Sequence, residues 1–320
     1  MALEAFTRVL PILLLVGLGV LIRRRGFLAP TTIDDLRRLI VTITLPATLF
    51  QAFLRVDLEP TYTVIVISIF LACVAVLAIA PWLRRGAGIR ATSMPNLMAG
   101  FEAGMLGIPL FTGVFGASEL YRFAIVEIGQ ELFVFFILVT VVIMRASGQR
   151  PPLRETIGTF FRHPVILAIL AGIGGSIIGL GDALDAHPIG EALLATIGML
   201  AVLTTPLIAI VLGYSTSLRV GALRDPVRTL VVRLPIWIGL AIVFNIVVID
   251  GLLGLDRLFQ AAVMTMAILP PPFVVPLYMA RAIKHDAEHD PEHAYTVNTL
   301  SLATLVTLAA IVVVGVVYAG

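Results

Sequence analysis

Gly100–Phe101–Glu102–Ala103–Gly104–Met105–Leu106–Gly107–Ile108–Pro109–Leu110 is an apolar stretch interrupted by glycines, a proline and a carboxylate. A helix that crosses lipid satisfies its own backbone and avoids charge, so a break holding an acid is tolerated where it lines a cavity inside the protein. A second stretch, Ala267–Ile268–Leu269–Pro270–Pro271–Pro272–Phe273–Val274–Val275–Pro276, carries three consecutive prolines. These neither donate to a continuous helix nor fit one. Two interrupted spans in corresponding positions of two halves are the sequence pointer to a secondary-transporter binding site.

The surrounding chain agrees. Its 320 residues are 59% hydrophobic and 13% charged, with a mean hydropathy of +1.04, which reads as a polytopic helical membrane protein rather than a soluble domain. Cys73 is the one cysteine, so neither a disulfide nor a cysteine metal site is expected. The first apolar run ends on Arg23–Arg24–Arg25, where a signal peptide would carry small residues, and is read as a retained span.

Spans are expected near 5–22, 31–53, 61–83, 93–116, 119–144, 163–180, 191–214, 226–249, 257–283 and 293–319. Of the 22 basic residues, only Arg8, Arg55, Arg122 and Arg257 fall at one face, and the other eighteen, Arg233 among them, are assigned to the opposite one. By the positive-inside rule the crowded face is cytoplasmic. The expectation is a multi-pass protein of the plasma (inner) membrane with both termini on the non-cytoplasmic side.

The halves share punctuation. Thr44–Leu45–Pro46 marks a kink in the second span, and Thr204–Thr205–Pro206 marks one in the seventh. Pro46 precedes Pro109 by 63 residues and Pro206 precedes Pro270 by 64. Residues 1–147 are therefore read as a first five-helix repeat and 163–320 as a second. Residues 148–162, with Pro151–Pro152 and arginines, are read as a cytoplasmic linker loop. Five is odd, so the second repeat enters from the opposite face and is inverted.

Among the polar positions, Glu102, Glu127 and Glu131 are the candidate carriers of a proton or coupling cation. A carboxylate removed from water is tolerated when it holds a proton or pairs with a cation. Glu127, Gln130 and Glu131 are spaced to share one helix face. The bland readings are a misplaced span that leaves Glu102 among headgroups, or a fifth helix that starts late and leaves Glu127 at its end. Asn245, Asn298, Thr299 and Ser301 read as interhelical hydrogen bonders, with Asn298 and Ser301 in the part of the tenth span that the repeat pairs with Glu127 and Gln130. His285, His289 and His293 have helical spacing for a metal, but Pro291 and the acids between them fit a solvated loop, and no metal site is expected. No phosphate loop, zinc-protease helix or nucleophile elbow occurs, so neither an enzyme nor a cofactor is expected.

Several motifs in order resemble the auxin efflux carrier family, which includes bacterial malonate-type carriers and the plant PIN-FORMED transporters. They are Leu14–Leu15–Val16–Gly17–Leu18–Gly19–Val20–Leu21–Ile22–Arg23–Arg24–Arg25–Gly26, Leu45–Pro46–Ala47–Thr48–Leu49–Phe50, Gly104–Met105–Leu106–Gly107–Ile108–Pro109–Leu110, Leu269–Pro270–Pro271, and Asn298–Thr299–Leu300–Ser301–Leu302–Ala303–Thr304–Leu305. The resemblance implies an all-α membrane protein of ten helices in two inverted five-helix repeats, a fold shared with sodium–bile acid symporters. Helices 1, 2, 6 and 7 would form a scaffold, often dimeric. Helices 3–5 and 8–10 would form a mobile transport domain, with broken helices 4 and 9 crossing at its centre. Small organic anions would be recognised beside the crossover. One departure matters: many members have an Asn followed by Thr where this chain has Glu102–Ala103. An ionised Glu102 repels a carboxylate ligand, so it holds a proton, or pairs with a cation, or the solute is not a simple anion. The second crossover also lacks the polar residue often found after its prolines, having Pro272–Phe273–Val274–Val275.

The expectation is a secondary active transporter of a small carboxylate-bearing solute, proton-coupled, working by alternating access as a homodimer in the lipid bilayer, with no nucleic-acid partner. Glu102, Gly104, Gly107 and Pro109 would bind substrate together with Pro270, Pro271, Pro272 and Asn298. Half-helix N-termini at Pro109 and Pro270–Pro271 would face the anion. Glu102, Glu127, Gln130 and Glu131 would handle the proton or a sodium ion. The alternatives are a sodium symporter of the bile-acid type and a sensor or scaffold that keeps the fold without transport; an intramembrane hydrolase lacks a motif for its second catalytic group. The orientation has a direct check. With Cys73 replaced, a cysteine introduced at Gln149 should resist a membrane-impermeant reagent applied to intact cells, and one near Asp185 should react. Outside labelling at position 149 would reverse the orientation.

Overall fold

The computed structural model describes residues 2–56, 59–147, 152–215, 223–282 and 290–318. Among these residues every regular element is helical. Helix α1 (Ala2–Arg25) ends on its three arginines, where cations suit the carbonyl end of a helix. Helix α2 (Pro30–Leu39) has proline in its first turn, where no N–H is needed. The expected kink at Pro46 is a wide π-turn, Ile40–Thr44, just ahead of α3 (Leu45–Phe53). After α4 (Tyr62–Gly86) comes the first broken segment: a short turn at Met94–Leu97, an unwound stretch, a π-turn at Ala103–Gly107, and α5 (Ile108–Phe115). Helix α6 (Leu120–Phe133) continues through a π-turn at Val134–Leu138 into α7 (Val139–Ser147).

Residues 148–162 were expected to be a loop. Leu153–Arg162 is instead a helix, α8. Ile157, Phe160 and Phe161 fall on it at amphipathic spacing, and Phe160 packs its ring 5.6 Å from Phe135 and 4.9 Å from Phe136. A helix that buries Phe160 forms where proline and arginine alone suggested a loop, while Ile157 and Phe161 stay exposed. Helices α9 (Pro164–Ile177) and α10 (Leu180–Asp185) lead to α11 (Pro188–Ser215), which runs unbroken through Pro206. Helix α12 (Arg224–Phe244) extends as a π-helix to Leu252. The second break separates α13 (Arg257–Ala267) from α14 (Val274–Ala282), and α15 (Pro291–Tyr318) follows.

Among the described residues five helical stretches are long and apolar enough to cross a membrane: Tyr62–Gly86, Ala117–Arg145, Pro188–Ser215, Arg224–Leu252 and Pro291–Tyr318. Ala103–Phe115 and Pro164–Ile177 are apolar but shorter. Leu71 and Trp82 on α4, Met199 and Val202 on α11, and Val231 and Val243 on α12 are exposed apolar side chains. In water such a belt would be unfavourable, and in hydrocarbon it is matched to its solvent.

Helix α1 packs along α11, and α3 along α9; α4, α6, α12, α13 and α15 pack on one another. The π-turn region of the second span meets α11 where the Thr48 and Thr204 hydroxyls bond at 2.8 Å, although the kink expected at Pro206 is not a break in α11. The α1–α11 contact depends on absent side chains: a Cβ at Gly213 would overlap the Val16 carbonyl, and one at Gly19 would overlap the Ile210 carbonyl. Nothing lies near Gly17, although it shares the sequence motif. Gly213→Ala and Gly19→Ala should each cost roughly 1–3 kcal/mol through overpacking. Gly17→Ala should stay within about 0.5 kcal/mol of the parent. Thermal unfolding in detergent measures all three, and equal effects would refute the backbone-to-backbone contact.

Candidate functional site

The two breaks meet inside the protein, and the meeting is built from backbone. Gly100 has φ +78°, and a Cβ there would press on Pro272 and Val134, so glycine allows both the turn and the crossing. The N–H of Glu102 donates to the Pro270 carbonyl at 2.9 Å, joining the two broken segments. The Glu102 carboxylate then accepts from the Met105 N–H at 3.2 Å and from the Phe273 N–H at 2.6 Å. Met105 lies in the first turn of the half-helix Ala103–Phe115, and Phe273 immediately precedes α14. One carboxylate therefore closes the N-terminal ends of two half-helices, where free N–H groups and the helix dipole favour an anion.

The carbonyl ends are answered by α12. Fully buried Arg233 donates from Nη1 to the Leu97 carbonyl at 2.8 Å, and from Nη2 to those of Gly100 at 2.7 Å and Leu269 at 3.4 Å. One turn later, Trp237 Nε1 donates to the Met98 carbonyl at 2.7 Å, and its ring meets Phe101 edge-on at 4.6 Å. Arg233 was assigned to the basic membrane face in the sequence. Its complete burial among unwound carbonyls corrects that placement.

Below the crossing lies a cavity of about 760 Å³. Of the site residues expected from the sequence, Glu102, Gly104, Glu127, Glu131 and Pro272 line it, and Ser301 and Thr304 add hydroxyls. Glu127 is buried, and its Oε2 has no hydrogen-bond partner. Gln130 faces the crossover rather than the cavity: its Oε1 accepts from the Phe101 N–H at 3.1 Å and its Nε2 donates to Glu131 Oε2 at 3.2 Å. Asp34, Arg37, His163 and Ser215 also line the cavity, and all four stand at the helix ends that carry most of the arginines. The cavity thus runs from the basic end of the bundle to the crossing.

Other proposed site residues stand outside the cavity lining. Gly107 packs against Phe123 and Leu269, and Pro270 contributes its carbonyl to the bond with Glu102. Pro271 and Asn298 are buried away from the cavity. Pro109 is also buried and lies in the first turn of α5. The first half-helix begins at Glu102–Ala103, not Pro109, and the second at Phe273–Val274, not Pro270–Pro271. Proline is tolerated inside because the π-turn before it shifts the hydrogen bonds to five-residue spacing and an early helical residue needs no donor. Of the three histidines, His293 lines the cavity, and His285 and His289 lie outside the described residues. Among the described residues there is no group of three or more His, Cys, Asp or Glu able to hold a metal.

Away from the cavity, charge and aromatic rings gather between helices. Arg122 bonds Glu119 and donates from Nε to Asp256 at 3.0 and 3.1 Å, with its guanidinium 4.5 Å from the Tyr121 ring centre. Asp256 also caps α13 by accepting from the Leu258 and Phe259 N–H groups.

Apolar helices of spanning length around a cavity of charged side chains define a helical membrane protein of a kind that suits transport. No family model matches the chain. It is 27% identical over 217 residues, 66% of its length and 68% of the relative's, to a protein of Methanothermobacter thermautotrophicus (strain Delta H) described as an uncharacterized transporter.

Asp256, which lies between helices, gives the site region a pH signature. Burial pushes its carboxyl up, but the Arg122 guanidinium and the two N–H groups outweigh that and hold it below its ordinary value. A lowered folded-state pKa stabilises above the unfolded-state value, and the contribution disappears as pH falls through the folded one. Asp256→Asn should lower the thermal midpoint at neutral pH and lose part of the parent's decline below about pH 4. Identical acid limbs would exclude the contribution.

Proposed function

We propose that this chain is a secondary active transporter that moves a small organic anion by alternating access, coupled to protons. The observation that carries this reading is the convergence of two half-helix N-termini on one carboxylate at the edge of a cavity. Such a place holds an anion by geometry and dipole, and in this structure the Glu102 carboxyl group occupies it.

The coupling follows from that occupancy. An ionised Glu102 takes the Met105 and Phe273 N–H groups and leaves no place for a second carboxylate. When Glu102 accepts a proton it becomes a weaker acceptor, and a solute carboxylate can take those N–H groups in its place. Solute and proton then bind together and leave together. Glu127 and Glu131 share the cavity with Glu102 and offer further proton sites; Asp34, Arg37, His163 and His293 stand elsewhere along the lining.

In this reading the chain belongs to the auxin efflux carrier family and crosses the membrane ten times in two inverted repeats. The α1–α11 and α3–α9 pairs support a scaffold, and the mutual packing of α4, α6, α12, α13 and α15 supports a moving body that contains the crossing. With the basic end cytoplasmic, the described conformation is open inward and closed outward by Arg122, Glu119 and Asp256. A homodimer through the scaffold completes the proposal.

Reconstitution in liposomes tests it, with labelled mono- and dicarboxylates and an imposed pH gradient in sodium-free buffer. The parent protein should concentrate at least one of these solutes. Glu102→Gln keeps the shape, retains an acceptor for only one of the two N–H groups as a protonated acid would, and cannot titrate, so it should bind the same solute and equilibrate it without accumulation. Full gradient-driven accumulation by Glu102→Gln would remove Glu102 from the coupling step.

A further inference from the structure

Arg233 is unlike the chain's other arginines. It lies nine residues into α12, about 14 Å from the start of that helix at 1.5 Å per residue. It is completely buried, and no carboxylate lies within ion-pair distance of it among the described residues. A permanent cation at that depth is costly unless something answers it. What answers it is backbone: the carbonyls of Leu97, Gly100 and Leu269, with the Phe101 ring 5.0 Å from its Cζ. These carbonyls belong to the ends of two broken helices, where no helical N–H follows to bond them.

Converging unwound carbonyls are also the ligands with which broken-helix carriers hold an alkali-metal ion. Here the guanidinium fills the space among them, and Trp237 takes the intervening carbonyl of Met98. Glu102 meanwhile closes the N–H ends. The crossing is therefore neutralised at both kinds of helix end by side chains of the chain itself.

We propose that Arg233 is the built-in cation of the crossing, occupying among the unwound carbonyls the place of a free alkali-metal ion, so that the protein neither binds nor requires sodium. Arg233 acts as a positioning residue. It sets the path of residues 97–100 and thereby the place of Glu102. This inference goes beyond the transport reading and stands without it, because its first test reads stability rather than flux.

The thermal midpoint of the purified protein is measured in sodium, lithium and choline chloride at equal ionic strength. The parent should give the same midpoint in all three. Arg233→Gln and Arg233→Ala empty the place but leave its carbonyls. Their midpoints should fall in choline and recover with increasing sodium or lithium, a response that loss of packing alone would not produce. Arg233→Lys keeps a tethered cation and should stay insensitive to sodium. A parent midpoint that rises in sodium over choline overturns the proposal, as do neutral variants that fold and show no cation response. If the neutral variants cannot be recovered, Arg233→Lys decides: a recovered, sodium-insensitive protein supports the tethered cation, and recovery no better than Arg233→Gln, or a sodium response, overturns it. Should these results hold while liposomes move no carboxylate, the transport reading fails and the assignment of Arg233 remains.

Discussion

The shared hydrogen bonding of the Glu102 carboxylate, from Met105 on one broken helix and Phe273 on the other, is the interaction on which the site depends. Unwinding a helix inside an apolar body frees N–H and C=O groups that water cannot reach, and each must find a partner within the protein. Two unwound segments side by side double that demand. The chain meets it economically by sharing partners: one carboxylate serves two N-terminal ends, one guanidinium serves three carbonyls, and the Glu102 N–H to Pro270 carbonyl bond links the segments directly.

Sharing has a mechanical consequence. Glu102 belongs to one break and holds the start of the other, so its side chain is shared by both half-helices. Gln130 extends the connection, bonding the Phe101 backbone on one side and Glu131 on the other. The acid group and the crossing are thus joined by a short series of hydrogen bonds rather than across a distance. Arg233 and Trp237 fix the opposite ends from a third helix, so the crossing is held on both sides while its anion position stays adjustable.

The two ends of the bundle complete the arrangement with different chemistry. At the basic end, residues from several helix termini line an open cavity; at the other, Arg122 draws Glu119 and Asp256 together over aromatic rings. Between them the exposed side chains are apolar, which suits hydrocarbon and leaves the interior as the place for charge.

The sequence by itself determined that the chain is a helical membrane protein with two interrupted segments, because hydropathy, glycine and proline act locally and can be read residue by residue. It also marked Glu102, Glu127 and Glu131, since a carboxylate in an apolar run is conspicuous wherever it points. It misplaced the half-helix starts at Pro109 and Pro270–Pro271, because a proline shows where an N–H is missing and not where the chain unwinds. It read residues 148–162 as loop from their prolines and charge, although Phe160 in the helix Leu153–Arg162 is covered by Phe135 and Phe136 of another segment. Only the tertiary structure decided that Arg233 leaves the membrane face for the crossing and that the carboxylate of Glu102 fills its anion position. Both depend on partners that are backbone atoms far away in sequence, and a backbone carbonyl or N–H has no residue identity for a sequence to display.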